Sequence, residues 1–99
     1  MILTTTNSIE GFKIMDYLGI VTGVAMNEEK LAMGFSVSKY YKTIQDSVDK
    51  TKEKAFQSLQ ENAKQLNANA IVGIKVEIEL TTSNYAMVSV TGTAVKVAT

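Results

Sequence analysis

Residues 67–81, Asn67-Ala68-Asn69-Ala70-Ile71-Val72-Gly73-Ile74-Lys75-Val76-Glu77-Ile78-Glu79-Leu80-Thr81, decide the fold. Asn67-Ala68-Asn69 offers residues that tolerate the left-handed conformation in which helices end. Immediately afterwards the apolar period changes from 3.6 to two. Val72, Ile74, Val76, Ile78 and Leu80 occupy one face of a predicted strand, against Lys75, Glu77, Glu79 and Thr81 on the other.

Upstream of this junction Ile44, Val48, Ala55, Leu59, Ala63 and Leu66 recur at threes and fours, and Phe56 widens the stripe. The spacing predicts a long helix from about Ser36 or Ser38, with a turn at Thr51 or Lys52. Its polar side carries Asp46 and Lys50, Asp49 and Lys52, and Glu61 and Lys64 at three or four apart, which reads as a solvated face. Downstream, Thr82-Ser83-Asn84 predicts a hairpin turn and Tyr85–Val97 a returning strand. There Ala86, Val88 and Val90 hold one parity and Val95 and Val97 the other, so a glycine bulge is expected at Gly92-Thr93.

At the start, Met1–Thr6 reads as a short strand and Asn7–Gly11 as a turn. Phe12, Ile14, Leu18, Ile20, Val24 and Met26 then share one parity of a long run, with Asp16 and Thr22 as polar exceptions. One uninterrupted strand of that length would extend about 50 Å, so Gly19 and Gly23 are expected as bends or bulges. Asn27-Glu28-Glu29 predicts a helix N-cap with acidic first-turn residues, and Gly34 an interruption.

The order is short strand, long strand, helix, strand, strand, with no linker or repeat. This predicts a single α+β domain over residues 1–99: a mostly antiparallel sheet packed against one long helix. A helix covers one sheet face only. Met15, Tyr17, Val21, Val88 and Val95 are then expected to form apolar surface that a second copy of the chain would cover.

Composition narrows the function. Ten lysines balance ten acidic residues and arginine is absent, which argues against nucleic acid and against a polybasic membrane contact. The chain has no cysteine and no histidine, so disulfides, thiolate nucleophiles and the two commonest transition-metal ligands are excluded. Without a signal-like or membrane-spanning apolar run, a cytoplasmic location is expected.

Several residues carry sharper readings. Asp16, repeated by a symmetric ring, would give a circle of carboxylates for a hard cation; an edge residue is the plainer account. Glu28 and Glu29 serve more simply as helix-start charges than as ligands. Met15, Met26, Met33 and Met87 lack a Met-x-x-Met spacing and read as gap-filling side chains. Gly19-Ile20-Val21-Thr22-Gly23 lacks the Gly-Lys-Ser/Thr ending of a phosphate loop. Thr22 or Thr93 as a nucleophile has only Asp16 nearby in sequence as a base, so catalysis is not expected. Tyr17, Tyr40, Tyr41 and Tyr85 suit interface anchoring better than ligand stacking.

Three segments together resemble the YbjQ-like family, which carries the label "putative heavy-metal-binding". They are Leu18-Gly19-Ile20-Val21-Thr22-Gly23, Ala68-Asn69-Ala70-Ile71-Val72-Gly73 and Val90-Thr91-Gly92-Thr93-Ala94-Val95-Lys96. Their glycines and threonines (Gly19, Thr22, Gly23, Gly73, Gly92, Thr93) are the motif residues. The resemblance spans nearly the whole chain and implies a dodecin-like subunit fold in a homopentameric ring. The family's Gly-Gly-Arg segment before the long helix has no counterpart near Ser38-Lys39-Tyr40-Tyr41, so its role is not carried over. The expected function is metal-ion or small-ligand binding by a cytoplasmic homo-oligomer. The alternative is a structural or protein-interaction ring without small-molecule chemistry.

Overall fold

The computed structural model describes residues 1–27, 37–81 and 85–99, with backbone alone for residues 37–40. The chain forms β1 (Ile2–Leu3), β2 (Lys13–Met26), the helix α1 (Val37–Gln65), β3 (Ala70–Leu80) and β4 (Ala86–Ala98). The four strands make one sheet in the order β1-β3-β4-β2, in which β1 runs parallel to β3 and every other pairing is antiparallel. The α+β architecture is as the sequence predicts. The expected helix-start charges Glu28 and Glu29, the interruption at Gly34, Met33, and the turn Thr82-Ser83-Asn84 lie outside the described residues.

The helix runs without a break through the turn expected at Thr51 or Lys52. Thr51 is 2% exposed, and its hydroxyl donates to the Ser47 carbonyl at 2.7 Å, which satisfies the hydroxyl inside the helix. At the C-terminus Asn67 takes φ 63°, its N–H donates to the Lys64 carbonyl and the Ala68 N–H reaches the Ala63 carbonyl. That is a Schellman ending, formed where the sequence places it. Asn69 then ties the junction to the sheet: its amide donates to the Val97 carbonyl at 2.9 Å and accepts from the Val97 N–H at 2.8 Å.

Ala55, Leu59 and Ala63, spaced by four, are fully buried on Val21, Ile71, Ile74, Val88, Val90 and Ala94. Leu59 alone contributes roughly 1.5–3 kcal/mol by burial. The two alanines let the helix come close. A Cβ on Gly23 would lie 2.1 Å from the Ala55 carbonyl oxygen and 2.7 Å from the Leu59 nitrogen. Gly23 is therefore a notch for the helix backbone, not the bend or bulge expected there. The irregularities of β2 fall instead between Ile14 and Asp16 and between Tyr17 and Gly19, where Gly19 has φ +130°.

The two slips cancel, so Ile14 before them shares a face with Ile20, Val24 and Met26 after them. Val21, Gly23 and Ala25 pair with Gly92, Val90 and Val88 and turn toward the helix, whereas Ile20, Val24 and Met26 pair with Thr93, Ser89 and Met87 on the opposite face. The more apolar parity is thus the outer one, contrary to the pattern reading, because the small residues of the other parity, Gly23 above all, are what let α1 approach. A similar slip between Val72 and Lys75, at Gly73 with φ +62°, puts Val72 on the outer face while Ile74, Val76 and Ile78 share the helix face.

Gly92 is also corrected. The β2–β4 register passes through it unbroken, and it has no positive φ. The parity switch in β4 has another cause. Val88, Val90 and Ala94 face the helix, while Val95 and Val97 join Ala70 and Val72 in a second cluster on the outer face, covered by Ile2, Ile9 and Ile14. The N-terminal segment, not a bulge, buries that parity. Gly92 faces the bulged stretch of β3, where an added Cβ would meet Ile71 Cγ2 at 2.6 Å and Ile74 Cγ1 at 3.0 Å.

Candidate functional site

The surface expected to need a partner is present but composed differently. Val21, Val88 and Val95 are buried within the chain's own fold, whereas Met15 and Tyr17 are exposed. The larger apolar surface forms two stripes. Ile20, Val24 and Met26 are 79%, 55% and 48% exposed on the outer face of β2, and Val76, Ile78 and Leu80 are 40%, 48% and 59% exposed on the helix face of β3. The second stripe is bare because α1 packs on β2 and β4 and scarcely reaches β3.

Both stripes flank open sheet edges. β2 is the last strand on one side, and on the other β1 pairs only with Ala70 and Ile71, leaving the outer half of β3 unpaired among the described residues. The β2 edge is partly closed from within: the Asn62 amide donates to the Thr22 carbonyl at 2.8 Å. A helix side chain occupying an edge acceptor discourages backbone pairing there. Charges serve the same purpose on β3, where Lys75, Glu77 and Glu79 pair with Thr91, Ser89 and Met87 on the outer face.

The shape agrees. The Cα radius of gyration is 16.2 Å, against about 13 Å for a compact 99-residue domain. The accessible surface is 6733 Å², against about 5,500 Å² for a monomer of this 10.8 kDa mass. The difference, 6733 minus about 5,500, is about 1,200 Å².

The other predicted residues are scattered. Asp16 is exposed and opposite Lys96, whose ammonium donates to the Asn67 carbonyl at 3.2 Å. Thr22 stands opposite Thr91 and Thr93 opposite Ile20, on the outer face, whereas Asp16 shares the helix face. The pairing of Asp16 with either threonine as base and nucleophile does not form. Asn27, expected as an N-cap, instead accepts from the Ala86 N–H through its side chain, while its own N–H donates to the Ala86 carbonyl, clipping the end of β2 to β4. A polar cleft of about 370 Å³ lies between Asn27 and the helix side chains Thr43, Ser47, Lys50 and Lys54. Among the described residues no three Asp or Glu side chains converge as metal ligands. Register does bring one set of donors together that spacing misses: Met26 is directly opposite Met87, and Met87 is opposite Glu79. No local motif marks that set, since its members lie on three strands.

These features define a small α+β domain with two exposed apolar stripes and no helix, among the described residues, long and apolar enough to cross a membrane. The chain belongs to the YbjQ family, described as "Putative heavy-metal-binding", whose model matches residues 1–98. It is 38% identical to a UPF0145 protein of Bacillus thuringiensis subsp. konkukian and to one of Bacillus cereus, each alignment covering 98% of this chain and 100% of the relative. Those alignments run over 109 residues against the 99 of this chain, so the relatives carry positions it lacks. A solved structure from Pediococcus pentosaceus, of a protein of unknown function in the DUF74 family, matches with TM-score 0.65 and 20% identity over 99% of this chain and 98% of its own. That match establishes the fold.

Proposed function

We propose that this chain is the subunit of a closed homo-oligomeric ring that binds a metal ion or small ligand in the cytoplasm. The observation that carries the assembly is the pair of unlike apolar stripes at opposite sheet edges, one on each face. Unlike patches fit a head-to-tail contact, in which the Ile20–Val24 stripe of one copy lies on the Val76–Leu80 stripe of the next. Repetition of such a contact closes a ring when the rotation permits. The excess surface of about 1,200 Å² per subunit compares with about 800 Å² buried per partner in a standard interface. Five subunits is the number the family resemblance suggests.

Metal binding is supported by the family description. With cysteine and histidine absent, thiolate and imidazole sites for Zn(II) or Cd(II) do not fit this chain. Thioether and carboxylate donors remain. Catalysis forms no part of the proposal.

Sedimentation velocity and native mass spectrometry of the full chain test the assembly. The expected result is one closed oligomer at micromolar concentration. A monomer across the accessible range would refute it.

A further inference from the structure

We infer that the thioethers of Met26 and Met87, with the carboxylate of Glu79 beside them, form a site for a soft monovalent cation, Cu(I) or Ag(I). The inference rests on the metal-binding reading above and names the metal class and the residues. Met26 on β2 and Met87 on β4 are register partners, and Glu79 on β3 is the register partner of Met87. Paired residues project from the same face, here the one without the helix, and directly opposite Cβ atoms lie about 4.5–5.5 Å apart. Methionine has three rotatable bonds to its thioether, so two sulfurs on such stems can converge on one ion without backbone movement. Glu79, one strand further, stands next to Met87 and supplies an anionic oxygen that balances the cation's charge.

The donor chemistry selects the ion. Thioether sulfur is soft and uncharged; it holds d¹⁰ monovalent cations and competes poorly for Zn(II), Mg(II) or Ca(II). In the single chain Met26 is 48% exposed and Met87 half-buried, and the contact proposed above covers Ile20–Val24 with Met26 at its end, so an ion has access from solvent while the inner ligand is held in place by the sheet. Met15, 57% exposed at the first irregularity of β2, has no residue paired across from it and serves as an internal control.

The test is titration of the assembled full chain with Ag(I), and with Cu(I) under anaerobic reducing conditions, read by isothermal calorimetry and native mass spectrometry. One ion per subunit is expected, with Zn(II) and Cd(II) at least tenfold weaker. Leucine fills the space of methionine without the sulfur. Met26→Leu and Met87→Leu should each weaken Ag(I) at least tenfold, the double variant should abolish the stoichiometric site, and Met15→Leu should change nothing. A thermal melt of each variant verifies that it folds. Ag(I) bound with unchanged affinity by the folded double variant overturns this site while leaving metal binding standing. Failure of the wild-type ring to bind Ag(I), Cu(I), Zn(II) or Cd(II) overturns both the site and the metal-binding reading.

Discussion

Among the described glycines, Gly23 and Gly92 have no positive φ and yet the least room for a side chain. At Gly23 the obstacles to a side chain are helix backbone atoms, which cannot rotate away, so Gly23→Ala must push α1 off the sheet. Overpacking of this kind costs about 1–3 kcal/mol and more where the backbone must move. Gly11 is the useful contrast: it has φ +82° but open space around it, so Gly11→Ala should cost only about 1 kcal/mol. Urea denaturation should rank Gly23→Ala well above Gly11→Ala; the reverse order would show that the helix does not sit as closely as described. Asn69 makes a second residue-scale prediction. Both ends of its amide are used on Val97. Asn69→Ala should lose about 1–3 kcal/mol, and Asn69→Asp should do no better, because the carboxylate would face the Val97 carbonyl where a donor is needed. A thermal melt at pH 7 with Asn69→Asp equal to wild type would contradict this. At this scale the sequence reading found the left-handed helix ending at Asn67 and the irregularity at Gly19, because asparagine and glycine act there through their own backbones. It misassigned Gly23 and Gly92, whose roles come from neighbours 32 residues away at Ala55 and 21 away at Ile71, and no local signal carries such a contact.

The elements were legible where one face of each meets one environment. The i, i+4 series Ala55, Leu59, Ala63 predicted the buried stripe of α1 correctly, and the hairpin strands appear where alternation placed them. Thr51 was misleading because an isolated polar residue in an apolar stripe suggests a break, while its hydroxyl is in fact satisfied by the Ser47 carbonyl. It follows that Thr51→Val should change stability by less than about 1 kcal/mol, since the hydroxyl and its extra bond leave together. Leu59→Ala, in the core cluster and fully buried, should cost about 2–5 kcal/mol. A Thr51→Val loss comparable to that of Leu59→Ala would mean that the back-bond holds the helix together at that point. The parity of β2 was not legible for a different reason. Alternation separates the two faces of a strand but does not say which one meets the helix; tertiary packing decides that, and here Gly23 admits α1 on the less apolar face. The candidate thioether site is hidden for the same reason, since residues 26, 79 and 87 meet only once strand order and register are known.

For the whole molecule, a chain with 45% hydrophobic residues and an elongated, single-helix cover exposes apolar surface on both sides of its sheet. That apolar surface would be left over could be reasoned from the layer count; which residues form it could not, since that depends on which parity of β2 meets α1 and on how little of β3 the helix covers. The two stripes are different surfaces, and this sets head-to-tail assembly apart from a two-fold dimer built on one patch. Val24→Lys damages only the β2 stripe and Ile78→Lys only the β3 stripe, both at positions already half exposed, so each variant should stay folded. Each alone should be monomeric at micromolar concentration, because every contact in the ring needs one intact patch of each kind. Mixed in equal amounts, they should form a heterodimer that grows no further: the intact β3 stripe of Val24→Lys meets the intact β2 stripe of Ile78→Lys, and the two patches left over are both spoiled. Wild type should in addition melt at a higher temperature as its concentration rises, while the single variants should not. If Val24→Lys still self-associates while Ile78→Lys does not, the contact is a two-fold one through β3 alone, and the ring gives way to a dimer.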